Sequence, residues 1–447
     1  MSGKISTPET PARHAGERLG KRPPERSPGR GTRPPLGWRQ RVALAVAGTI
    51  AGLAIAEIGA RALGYDFRPH MRNRVYFAEP DALLGWRNRP GVSGPYGGDE
   101  FLTWVTINAD AQRGRAYPRE RTPGTFRIAV LGDSQAWGDG VADDETFADL
   151  LDVAGGDRVE VLNFSAPGYG TDQELLALDD RAARWAPDVV VIATYIGNDL
   201  ADNASPGTWQ YPKPYFRSGA RGELVLEGVP VAIPRATHLA VDAYRLAMRY
   251  SAFLNAIGEA TANAPPPFLR VDELPAHTPI HRTIYGPRPT DADERTLDLT
   301  ERLLTTAAEH ARAIGARPVV LLVPDLWQVD VANRPDWRRE LRAAGADWRR
   351  PQRRLTQALE GRGIEVIDAL PALARASRHA RVGDEHTYYR GWRHLTARGH
   401  RTLARLLAPR LGVATPRGEV APAAAGRATP AGSGVDESEQ HGGARQP

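Results

Sequence analysis

The chain has 447 residues, enough for one large domain or two to three small ones, and 41% hydrophobic with 25% charged residues is compatible with a buried core. It contains no cysteine, which excludes disulfides and thiolate metal sites. The net charge of +5 sits at one end: residues 1–41 hold ten basic and three acidic residues, a net +7, which leaves −2 for the remainder. A near-neutral body has no global basic field, which argues against nucleic acid as a partner.

In chain order, residues 1–41 are rich in Pro and Gly and poor in large apolar side chains. They bury too little to offset ordering entropy and are expected to be a disordered basic arm. The apolar run from Val42 follows at once. Glu57 is the only charged residue between Val42 and Ala60, and nineteen helical residues reach roughly 28 Å, near the hydrocarbon thickness of a bilayer. Residues 42–62 are therefore expected to form a transmembrane anchor. A buried core helix and a cleavable signal peptide, with Ala54-Ile55-Ala56 as its cleavage site, are the alternatives. The basic arm places the N-terminus in the cytoplasm by the positive-inside rule. The expected location is the cell (inner) membrane, single-pass, with the body extracytoplasmic.

Residues 66–125 read as an irregular or β-rich extension, with turn signals such as PGVSGPYGGDE. A strand–helix alternation follows. FRIAVLG (126–132), VEVLNFS (159–165), DVVVIATYI (188–196), PVVLLVP (318–324) and IEVIDAL (364–370) have strand character. Residues 145–153, 172–185, 297–314, 351–360 and about 396–411 have helical spacing. Near-continuous apolar strands between helices predict an α/β fold with a parallel sheet covered on both faces. Residues 200–296 interrupt the pattern as a long insertion, read as a lid or specificity region. Residues 413–447 lack periodicity and are expected to be a disordered tail.

Four stretches are expected to meet at the carboxyl edge of that sheet, where ligand chemistry collects in such folds. They are Gly132-Asp133-Ser134, the glycine loop NFSAPGYG (163–170), YIGNDL (195–200), and HLTARGHRTLARLL (394–407). Taken alone, Ser134 reads first as a helix cap, with a nucleophile as the alternative.

The order of these blocks resembles the SGNH (GDSL-type) hydrolases, and the membrane-anchored bacterial members in particular. The resemblance covers residues 120–412, so the body is read as an SGNH hydrolase-like domain over 126–412. It implies a flavodoxin-like three-layer sandwich, with Ser134 as nucleophile and His394 as base. It also implies an oxyanion hole made by Ser134 N–H, Gly168 N–H and the Asn198 side chain. No cofactor and no metal is implied. The strained serine elbow of α/β-hydrolases is absent.

One position departs from the family pattern. The family's acid precedes the histidine by two or three residues, where this chain has Trp392 and Gly391. Asp384 or Glu385 could orient the imidazole instead, or a backbone carbonyl could, giving a dyad. Trp137 and Trp392 flank the two reactive residues and could stack on a sugar or acyl group. Trp137 reads equally as core. The expected activity is hydrolysis of a short acyl ester, acetyl foremost, on an envelope polysaccharide. O-acyl transfer from the same site and a non-catalytic binding module are the alternatives.

Overall fold

The structure is a computed structural model that describes residues 37–65, 76–98, 100–208, 211–219, 221–232, 239, 243, 246–247, 250–260, 282–378 and 386–414. Most of the expected disordered arm (1–41) and tail (413–447) lies outside the described residues, but residues 38–41, placed in the arm, begin a helix because the apolar run is preceded by a helical turn. The chain divides into two compact units, Met1–Ala56 and Glu57–Pro447.

Helix α1 (Trp38–Ala62) accounts for the described part of the first unit and continues into the second. Its 25 residues span about 37 Å at 1.5 Å each. Its most apolar stretch has a mean hydropathy of 1.9, so the helix is long and apolar enough to cross a membrane. Within the second unit, Glu57 accepts from Arg61 Nε at 2.8 Å, from Ser251 Oγ at 2.8 Å, and from the backbone N–H groups of Ala252 and Phe253.

The second unit is built on five strands: β1 (Phe126–Gly132), β2 (Val159–Asn163), β3 (Val189–Tyr195), β4 (Arg317–Val323) and β5 (Glu365–Asp368). All pair in parallel, in the spatial order 2-1-3-4-5. That is the flavodoxin-like order, which reverses direction between β1 and β3. Successive side chains alternate between two cores, as strand geometry requires. Ala129, Leu131, Val190, Ile192, Val320 and Leu322 face α4 (Thr171–Asp180), α6 (Asp291–Ala313) and α8 (Arg350–Glu360). Ile128, Val130, Val189, Val191, Val319 and Leu321 face α3 (Phe147–Gly155), α7 (Leu326–Asn333), α9 (Leu370–Arg378) and α10 (Ala397–Leu411). Burial on both faces explains why these strands read as unbroken apolar runs.

Two antiparallel hairpins precede β1. One pairs Ala78–Asp81 with Gly85–Asn88, the other Ser93–Gly98 with Phe101–Thr106. In the second, Val105 and Tyr96 enter a small aromatic core with Phe77, Ile107 and Trp137, while Leu102 and Trp104 are exposed. The region after β3 holds the short pairings Gly207–Thr208 with Tyr211–Pro212 and Tyr215–Ser218 with Leu224–Glu227, and a helix over Ala252–Ala260.

Candidate active site

Strand β1 ends at Gly132, where the backbone passes so close to its neighbours that a Cβ would lie 2.5 Å from the Ala136 methyl group and 3.0 Å from the Ala193 carbonyl oxygen. Only glycine fits that turn. The chain then enters the one-turn helix α2 (Ser134–Trp137). Its cap is Asp133, whose Oδ1 accepts from Gln135 N–H at 2.9 Å. Ser134 is the first helical residue, so its hydroxyl is not spent on capping. The capping role therefore falls to Asp133, one residue before Ser134.

Ser134 Oγ lies 2.8 Å from His394 Nε2. On the other side of the ring, His394 Nδ1 lies 2.8 Å from the backbone carbonyl of Trp392. A carbonyl oxygen can only accept, so Nδ1 carries the proton and Nε2 presents its lone pair to the serine. Asp133 Oδ2 is a second acceptor for the Ser134 hydroxyl at 3.3 Å. The histidine is the nearer acceptor, and burial pushes the Asp133 carboxyl up to about 7, weakening its charge as a rival. The imidazole is thus oriented by a backbone carbonyl. Asp384 and Glu385, the acidic candidates, lie outside the described residues.

Ser134 and His394 are 260 positions apart, and Gln135 fixes them to each other. Its Oε1 accepts from Leu395 N–H at 3.0 Å and its Nε2 donates to the Arg393 carbonyl at 3.2 Å. One side chain beside Ser134 therefore grips the backbone on both sides of His394. Arg393 adopts φ +61°, a strained value for a non-glycine residue. That turn is held by Arg393 N–H on the Tyr389 carbonyl, by Tyr389 N–H on the His394 carbonyl, and by the ion pair of Arg393 with Asp325 at 2.6 Å. The Trp392 ring stacks on the imidazole, with centroids 5.2 Å apart and planes at 24°.

Behind Ser134, the buried Arg113 donates to the carbonyls of Trp137, Gly138 and Val141 and pairs with Asp143 at 3.0 Å. Its guanidinium also lies over the Trp137 ring, 4.4 Å from the centroid. A loop with three carbonyls turned inward needs such a fork of donors. Neither Gln135 nor Arg113 stands out in the sequence. Arg113 lies in TINADAQRG (106–114), but nothing local marks its target.

The other expected site residues lie on the loops after β2 and β3, the two strands that flank β1. Gly168 adopts φ +80°, open to glycine without strain. Asn198 stands at the cap position of the one-turn helix α5 (Asp199–Asp202) but makes no side-chain cap. Its Nδ2 donates to Asp202 Oδ2 at 2.6 Å, which uses one of its two amide hydrogens and leaves the other. Trp137 is fully buried and its Nε1–H donates to Asn88 Oδ1 at 3.1 Å. Stacking on a substrate is excluded for Trp137, because packing against Phe77 and Tyr96 covers the ring. His400 is also core: its Nδ1 accepts from Phe147 N–H, and burial lowers it to about 3.

Beneath these loops lies a set of buried carboxyls. Asp172 is paired with the buried Lys213. Glu174 is 1% exposed, and neither of its oxygens has a hydrogen-bond partner among the described residues. Burial, reinforced by Asp133 and Asp172, holds Glu174 well above the usual carboxylate range. Asp199 is raised in the same way by burial, then by Asp133 and Glu174, although its Oδ2 accepts from Tyr195 N–H at 2.7 Å. The described residues contain no group of His, Asp and Glu side chains able to hold a metal ion.

No family model matches the chain, and no curated protein matches it. Among solved structures it is similar to a GDSL-like lipase from Bacteroides thetaiotaomicron, at 12% identity and a TM-score of 0.30, covering 64% of this chain and 87% of that one. It is similar to TesA, at 14% identity and a TM-score of 0.33, covering 64% and 97%. A third is Axe2, an acetylxylan esterase from Geobacillus stearothermophilus, at 12% identity and a TM-score of 0.34, covering 66% and 99%.

Proposed function

We propose that the chain is a membrane-anchored serine esterase of the SGNH type, which removes a short acyl group, acetyl foremost, from an envelope carbohydrate. The observation that carries this reading is the Ser134 Oγ to His394 Nε2 contact of 2.8 Å, with Nδ1 fixed on the Trp392 carbonyl. A serine hydroxyl is a weak nucleophile without a neighbouring base, and this geometry supplies one. Ser134 Oγ attacks the ester carbonyl carbon as its proton passes to Nε2. The oxyanion that forms is met by Ser134 N–H at the open end of α2, by Gly168 N–H, and by the free hydrogen of Asn198 Nδ2. The leaving alkoxide then takes the Nε2 proton. Water repeats the cycle on the acyl-serine and releases the acid.

Helix α1 supports the membrane anchor, and the basic residues before it support an extracytoplasmic site. A site so placed meets envelope polymers, which favours a carbohydrate ester. The test is hydrolysis of a short-chain p-nitrophenyl ester series by the full chain in detergent, beside Ser134→Ala and His394→Ala. The expected result is hydrolysis by the parent and a loss of at least about 10³-fold in both variants. A folded parent no faster than Ser134→Ala refutes hydrolysis. Ester formed on an added sugar instead would assign acyl transfer.

A further inference from the structure

We propose that Asp139 is a positioning residue for the base: it sets a fixed negative charge beside the serine-facing nitrogen of His394. This inference rests on the Ser134–His394 reading and concerns how that base is tuned. Asp139 follows Gly138 at the end of α2, and its residue exposure is 3%. Its Oδ2 lies 3.9 Å from His394 Nε2. That is beyond hydrogen-bond range but within the distance at which opposite charges interact strongly in a desolvated site.

Two donors hold the carboxylate in place. Tyr96 Oη donates to Oδ2 at 3.1 Å, and Trp392 Nε1 donates to Oδ1 at 2.9 Å. Trp392 therefore serves the base three times over. Its carbonyl takes Nδ1–H, its ring stacks on the imidazole, and its indole N–H anchors the acid. The usual place for an acid in such a site is at Nδ1, where this chain has a neutral carbonyl. Asp139 supplies charge from the other edge of the ring.

The charge matters when Nε2 gains the Ser134 proton. The imidazolium then carries +1, with Asp139 nearby; the carboxylate takes no proton and forms no bond. Other charged groups around the ring are already committed. Arg113 is paired with Asp143, Arg393 with Asp325, and Glu100 accepts from Trp392 N–H and Arg390 N–H. Asp133 faces Ser134, and His400 is held neutral by burial.

The test is the titration of the His394 imidazole in the full chain in detergent. It uses NMR with labelled histidine, the signal being assigned by its loss in His394→Gln. Asp139→Asn keeps the shape and removes the charge. The titration midpoint is expected to fall by about one pH unit. The acid limb of ester hydrolysis should move with it, and the plateau rate should drop on the order of tenfold. A midpoint that stays put in a folded Asp139→Asn protein overturns the proposal, because a purely structural tie between Tyr96 and Trp392 would leave it unmoved. Should that variant not fold, Tyr96→Phe removes one donor from Oδ2 and leaves more charge facing Nε2. Its midpoint is expected to rise, and an unchanged or lower value also overturns the proposal. The resting titration needs no turnover, so the role of Asp139 is tested even in a protein that hydrolyses no ester.

Discussion

Replacing Glu174 by Gln gives a sharp test of the electrostatics under the carboxyl edge of the sheet. Glu174 is buried with neither oxygen hydrogen-bonded among the described residues, and the nearby Asp133 and Asp172 raise its proton affinity further. Burial therefore raises the proton affinity of Glu174 in the folded protein above that of the unfolded chain, which releases the proton near the ordinary carboxyl value of 4.5. Above 4.5 the folded state holds more of that proton than the unfolded state does, so stability falls as pH rises. For a single proton the slope is at most about 1.4 kcal/mol per pH unit. Against a total stability of about 5–15 kcal/mol this is a large contribution. Gln has nearly the same volume and is neutral throughout, so Glu174→Gln should remove the slope. Urea unfolding followed by tryptophan fluorescence at pH 5, 6 and 7 measures it. The variant's stability relative to the parent is expected to climb across that range, by at most about 1.4 kcal/mol per pH unit. The same difference at all three pH values would show Glu174 to be ionised in the fold and would refute the reasoning.

Two further outcomes are expected. His400→Gln should relieve the opposite dependence: His400 falls from 6.5 to about 3 on burial, so the unfolded chain binds the extra proton and the parent loses stability as pH drops below 6.5. By pH 5 that loss is about 2 kcal/mol, and an acid unfolding curve unchanged in the variant would contradict it. Asn198→Ala should lower kcat by about 10²–10³-fold with KM little changed, as removal of one oxyanion donor does. Steady-state kinetics on the same esters give the answer, and a loss confined to KM would mean that Asn198 contacts substrate but not the oxyanion.

Much of the sheet is legible in the sequence because local pattern dictates it. Strands buried on both faces must be apolar throughout, and β1, β3 and β4 lie within a residue or two of the runs read from the sequence. Helix α6 begins at Asp291, six residues before its expected start at Leu297, because its first turn is polar and is set by the Thr290–Asp293 capping box rather than by an apolar stripe. Helices α7 and α9 escape the pattern, since each is only 8 or 9 residues long and follows a strand with little warning. Helix α10 is marked by Thr396, whose Oγ1 accepts from Gly399 N–H.

The sequence by itself determined the parts list: an apolar helix, a parallel α/β core, and Ser134 and His394 at loops beside that core. Those features depend on composition and short-range periodicity, which a chain carries wherever it folds. Only the tertiary structure decided what the residues do to one another. It made Asp133 the cap and freed Ser134, put the Trp392 carbonyl on Nδ1, and buried Trp137. It also set Gln135 across both neighbours of His394 and brought Asp139 to the far edge of its ring. Each of these joins residues whose approach depends on how loops cross the sheet edge. A hydrogen bond turns on tenths of an ångström and on direction, and sequence spacing fixes neither across 260 residues.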